Sequence, residues 1–279
     1  MSDKILAQLA LLLVSFFAVW FSLSQIKFIN EDEVQQFASE NAKKLGKMIL
    51  ESITSTNEEI KNEKIRAVID SIKMRICRPT DSTKVIDCTD IKVHIIRSSE
   101  INAFALPDNH MVICSGLIEY ADNASEVAGV MAHEIGHMEK NHVMKRLVKE
   151  VGLEMLFAMA GGDAGFEIVR QTGKKLSSSA FDRSQEQEAD AYAVEILAGS
   201  DIDPQHLSDL FFRISQKHNI PEELAWISTH PDTKERAAEI IKKKKGFSYS
   251  VRPIVNTPWK DVQKMLTRED EVLEVVITQ

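Results

Sequence analysis

Val127 to His142 reads VAGVMAHEIGHMEKNH, and inside it His133-Glu134-Ile135-Gly136-His137 has the pattern HExxH. Apolar Val127, Val130, Met131, Ile135 and Met138 recur around the histidines at helical spacing, so the stretch predicts a buried helix. On a helix, positions i and i+4 lie on one face. His133 and His137 placed there suit one zinc ion, each nitrogen at about 2.0–2.1 Å from it. Glu134 is turned away from that pair and is placed to take a proton from a metal-activated water without being a ligand itself. Two histidines and a glutamate buried without partners carry a desolvation cost that a metal removes. Gly136 leaves room for another backbone to approach.

A catalytic zinc needs a third protein ligand. The HExxHxxGxxH pattern would put Gly at 140 and His at 143, where Lys140 and Val143 stand. His142 is five residues past His137, on another face of a continuous helix, and reads as structural. The better candidate comes in Arg183-Ser184-Gln185-Glu186-Gln187-Glu188-Ala189-Asp190, where Glu186 and Asp190 again stand i, i+4 on a capped helix. Glu186 can bind the metal while Asp190 accepts a hydrogen bond from the far nitrogen of a ligand histidine, fixing its tautomer. Glu188, two residues from Glu186, reads as solvated.

Outward from these motifs the chain is mostly helical. Residues 31–76 carry apolar positions at a period near 3.6, and strand signals follow at Lys92–Arg97, Ala103–Leu106 and Met111–Cys114. Pro107-Asp108-Asn109 makes the last two strands a hairpin. Asp122 or Asn123 caps a long helix to about Leu147, residues 148–160 are helical and apolar, and a further helix runs from about Arg183 to Ala198. Asp203-Pro204 opens another, and Pro231 sits in the first turn of the next, which the lysines at 242–245 close. The fold class is α+β, mainly helical with one small sheet. His94, His110, His206 and His218 show no ligand spacing and read as structural or surface residues.

The N-terminus has a different character. Ile5 to Leu23 reads ILAQLALLLVSFFAVWFSL, long enough for a bilayer's hydrocarbon core of roughly 30 Å. It is either a retained transmembrane anchor or a signal peptide cleaved near Ser22-Leu23-Ser24. Export follows from a lone N-terminal segment, and Cys77 and Cys88 are then candidates for a disulfide. The expected organisation is an anchor or signal segment over 1–27, a helical region over 28–89, the metal-binding domain over 90–245 and a strand-and-helix tail over 246–279. Charged residues make up 27% of the 279 residues and the net charge is −8, which gives no basic footprint for nucleic acid.

Three blocks, HEIGHMEKNH, FDRSQEQEADAYAVEIL and STHPDTKERA, together with NAFALP (Asn102–Pro107), resemble those of the HtpX-like and CAAX-prenyl-protease-like zinc metallopeptidases, peptidase family M48. The resemblance covers about residues 90–245 in order and spacing. It implies a gluzincin-type domain with His133, His137 and Glu186 as ligands of one zinc ion per chain, Glu134 as general base and acid, and Asp190 supporting a ligand histidine. It also brings His230 toward the site, either to hydrogen-bond the oxyanion or to take the fourth zinc position at rest, and pairs Arg236 with a carboxylate of the Glu186 helix. Ala103-Phe104-Ala105 then holds an extended peptide by strand addition, or serves only as hairpin packing. The sequence departs from the family at Asp182, where Ser is usual, and at Asp108, where Gly is common.

The expectation is a zinc-dependent endopeptidase acting on protein or peptide substrates in envelope quality control, membrane-anchored with an extracytoplasmic domain or secreted after cleavage. The alternative is a membrane-tethered, chaperone-like binding module with a latent or structural zinc site. A prenyl-protein protease would need several membrane spans, and the sequence offers one.

Overall fold

The computed structural model describes residues 31–77, 90–162, 166–216 and 225–266, with a few positions between 8 and 17. A three-stranded sheet lies between two helical layers. Its strands are β1 (Lys92–Ile96), β2 (Ala103–Leu106) and β3 (His110–Cys114), in the order β1-β3-β2. β2 and β3 form the expected antiparallel hairpin, with Ala105 opposite Met111, and β1 runs parallel to β3. Asp108 and Asn109 turn the hairpin with φ of 62° and 56°. That left-handed backbone is where glycine is common, and Asp and Asn are the side chains that tolerate it.

Successive strand residues point to opposite faces, and two apolar clusters result. On one face Ile95, Ala103, Met111 and Ile113 pack with the HExxH helix α4 (Ala124–Glu139) and with α8 (Arg183–Gly199) and α9 (Gln205–Ser215). On the other face Ile96, Phe104, Leu106, Val112 and Cys114 meet α1 (Glu31–Thr54), α5 (His142–Val151), α6 (Leu153–Gly161) and α7 (Phe166–Ser178). The first cluster also takes in α2 (Glu63–Cys77) and α11 (Thr233–Lys244), and short helices α3 (Ser115–Tyr120) and α10 (Ala225–Thr229) complete the set. The fold is α+β and mainly helical, as expected.

Several boundaries differ from the sequence reading. The region 31–76 is two helices, because the segment between them leaves the helical path: Ile60 N–H donates to Ile95 O at 2.8 Å and Glu59 bridges to Ile96. Asn62 Oδ1 then caps α2, accepting from Lys64 N at 3.0 Å. The helix capped by Asn123, whose Oδ1 accepts from Ser125 and Glu126 N–H, stops at Glu139 instead of Leu147. Asn141 adopts a left-handed φ of 56° and starts α5 in a new direction. Gly152, at φ 80°, separates α5 from α6. Pro231 lies just before α11, with Asp232 at φ 60° between them.

In the tail, residues 246–258 form no strand and a helix covers 259–266. Trp259, Val262 and Leu266 are buried in the first cluster, and Trp259 Nε1–H donates to Ala121 O at 2.8 Å. Residues 267–279 lie outside the described residues. So does most of the apolar run 5–23, and among the described residues no helix is long and apolar enough to cross a membrane. Cys77 is disulfide-bonded and Cys114 is free and buried; Cys88 lies outside the described residues.

Candidate metal centre

One turn of α4 separates His133 from His137, and their Nε2 atoms are 3.0 Å apart. α8 crosses α4 closely where Gly136 sits: a Cβ there would lie 3.0 Å from both Cα and O of Ala189. That approach brings Glu186 over the motif, its Oε1 3.5 Å from His137 Nε2 and its Oε2 3.5 Å from His133 Nε2. His230 follows α10, and its Nδ1 is 3.0 Å from Glu186 Oε1 and 3.3 Å from His133 Nε2. These side chains are at most 2% exposed. The structure therefore brings together His133, His137 and Glu186 with His230 as a group able to hold a metal ion.

The spacing fits an ion. Four nitrogen or oxygen ligands about 2.0–2.1 Å from a tetrahedral zinc lie roughly 3.3 Å from one another; here five contacts among these groups, counting both Glu186 oxygens, run from 3.0 to 3.5 Å, and one ligand atom from each residue lies within 4.8 Å of the others. When both rings carry their proton on Nδ1, the His133 and His137 Nε2 lone pairs face each other in a dry interior, and a cation between them satisfies both.

Glu134 is fully buried. Its Oε2 accepts the Ala105 N–H of β2 at 2.8 Å, and its Oε1 lies 3.4 Å from His230 Nε2. Burial raises the carboxyl to about 7, against the lowering effects of His133, Arg146 and the Ala105 N–H. A carboxylate tuned toward neutrality suits a general base.

A second layer orients these groups. Asp190 Oδ1 lies 3.0 Å from His133 Nδ1. It holds the proton on that nitrogen and leaves Nε2 free to face the cluster. Arg236 donates to both Asp190 oxygens at 2.7 and 2.8 Å and also meets Glu186 Oε2, as the carboxylate pairing expected of it. Burial pushes both carboxyls up, but Arg236 and His133 together outweigh it at Asp190, and His230, Arg236 and His137 together outweigh it at Glu186, so both stay low.

Some contacts have no counterpart in the sequence reading. His142, buried at 2%, places its Nδ1 3.0 Å from His137 Nδ1. Phe181 stacks on His137 at 3.7 Å with an interplanar angle of 15°, and the Arg146 guanidinium lies 3.8 Å from the Phe181 ring centre. Trp226 stacks on His230 at 3.9 Å. Glu188, more than half exposed, reaches His142 Nε2 at 3.5 Å. The i+5 spacing put His142 on another face because it assumed an unbroken helix, and the left-handed Asn141 removes that assumption. His94 and His110 bond each other at 2.9 Å across β1 and β3, apart from the cluster. His206 lies on α9, and His218 is outside the described residues.

The profile of peptidase family M48 matches residues 59–244. The chain is 30% identical over 202 residues to the beta-barrel assembly-enhancing protease of Escherichia coli (strain K12), covering 67% of this chain and 39% of that protein. It is 30% identical over 156 residues to metalloprotease LoiP of the same organism, covering 54% and 61%. With the mitochondrial metalloendopeptidase OMA1 of Arabidopsis thaliana it shares 26% over 188 residues, covering 65% and 38%. It thus spans less than two thirds of each relative's length. The family match takes in more than half of the chain and every residue of the buried cluster, so the chain belongs to peptidase family M48.

Proposed function

We propose that the chain is a zinc-dependent endopeptidase hydrolysing protein or peptide substrates, with one zinc ion held by His133 and His137 Nε2 and a Glu186 oxygen. The observation that carries this reading is a buried carboxylate, Glu134, wedged between such a cluster and the strand β2. When bound, the ion supplies Lewis acidity that acidifies a water and polarises the scissile carbonyl. Glu134 takes the proton from the attacking water and delivers it to the leaving amine. Asp190 and Arg236 keep His133 in the binding tautomer. His230, whose Nδ1 faces the same cluster, would either help hold the ion at rest or donate to the developing oxyanion.

Among the described residues β2 lies at the edge of the sheet. The Ala105 N–H points to Glu134 and away from β3, so an extended peptide aligned along that edge would lie beside the base. Membrane anchoring by the N-terminal segment fits the positions described there: Leu12, Leu13, Phe16 and Phe17 are 57–66% exposed and apolar. The name of one Escherichia coli relative, a beta-barrel assembly-enhancing protease, supports a place in envelope quality control, for which the catalytic domain would lie outside the cytoplasm. Full burial of the cluster favours one second reading, a latent site in a membrane-tethered, chaperone-like module. Glu134→Gln separates the two. It should lose at least 10²-fold in casein cleavage while keeping about one zinc per chain, and a variant as active as the wild type would remove Glu134 from the mechanism.

A further inference from the structure

His137 can offer Nε2 to a metal only when its proton sits on Nδ1. That N–H must donate, and the atom facing it at 3.0 Å is His142 Nδ1. An imidazole nitrogen accepts only when it carries no proton, so the proton of a neutral His142 lies on Nε2, which faces Glu188 Oε2 at 3.5 Å. A directed row Glu188–His142–His137 results. His133 is mounted differently, on the Asp190 carboxylate that Arg236 clamps. The helix break makes the row possible: five residues along a continuous helix would put His142 roughly 140° away from His137, and Asn141 at φ 56° turns it back. Phe181, stacked on the His137 ring, fixes the ring plane while His142 fixes its rotation.

We propose that His142 is the positioning residue of the second metal-binding imidazole, accepting the His137 Nδ1–H and thereby setting how tightly the ion is held, with Glu188 orienting His142. The inference rests on the zinc reading above. The competing explanation is that His142 only fills a buried slot, and the two differ in what they require: an acceptor atom or mere volume.

The test is zinc affinity of the full-length chain in detergent, measured by chelator competition, with the visible spectrum of the cobalt-substituted protein as a second readout. His142→Phe keeps the volume and loses the acceptor; His142→Asn loses volume and keeps an acceptor oxygen. The expected result is a ten- to hundredfold weaker zinc affinity and a shifted cobalt spectrum for His142→Phe. His142→Asn should stay closer to wild type in both, and Glu188→Gln should lose only a few-fold. Should His142→Phe fail to fold, His142→Gln against His142→Ala poses the same contrast. A folded His142→Phe that binds zinc like the wild type, or an acceptor-bearing variant no better than its acceptor-free counterpart, overturns the assignment. A wild-type chain that binds no zinc fails the metallopeptidase reading itself and is told apart by that.

Discussion

Arg236 touches both carboxylates that α8 contributes, two oxygens of Asp190 and one of Glu186, while only 5% exposed. Its removal leaves two buried negative charges unpaired. Breaking such a buried pair from one side costs about 3–5 kcal/mol, so Arg236→Met should lose that much stability in urea denaturation of the metal-free chain; a loss below about 1 kcal/mol would show that the carboxylates find other partners. At this scale HExxH and ExxxD were legible because i, i+4 spacing translates directly into a shared helix face. Arg236 was legible only through the family's sequence blocks. His142, Phe181 and Trp226 were not, because their contacts with His137 and His230 depend on a left-handed residue and on segments meeting far apart in the chain.

Among elements, the crossing of α4 and α8 decides the site, since it brings a carboxylate from one helix to imidazoles on another. Gly136 permits it, and the sequence already offered that glycine as a place for backbone to come near. Gly136→Ala puts a methyl 3.0 Å from Ala189 Cα and O, backbone atoms that cannot swing aside. The variant should lose about 1–3 kcal/mol from overpacking and bind zinc more weakly as Glu186 is pushed off; unchanged melting and zinc affinity would mean that the helices slide without consequence. The hairpin was readable from Pro107-Asp108-Asn109, whose turn chemistry is local. The parallel pairing of β1 with β3 was not, because it depends on non-local contact. The break near residues 55–62 had a local signal in the Asn62 cap, masked by apolar spacing that continues on both sides of it.

Across the whole molecule, residues 246–266 return to the core that carries the HExxH helix. Tyr249 Oη–H donates to Asp203 at 2.7 Å, and Gln263 donates to the carbonyls of Glu119 and Ala121 at 2.8 and 3.0 Å. These contacts make the described part of the tail a support of the fold, a role the sequence left open because its polar composition gave no periodic face. Trp259→Ala should therefore cost about 3–5 kcal/mol, read as a lower melting temperature. A variant melting with the wild type would show that this segment is only appended. The proposed metal centre is one ion shared by two helices. Its most direct test is the zinc content of the purified full-length chain beside Glu186→Ala, by elemental analysis after dialysis. About one zinc per wild-type chain and little in the variant is the expected result; a wild type without zinc, or a Glu186→Ala chain that retains a full equivalent, would contradict a shared ion.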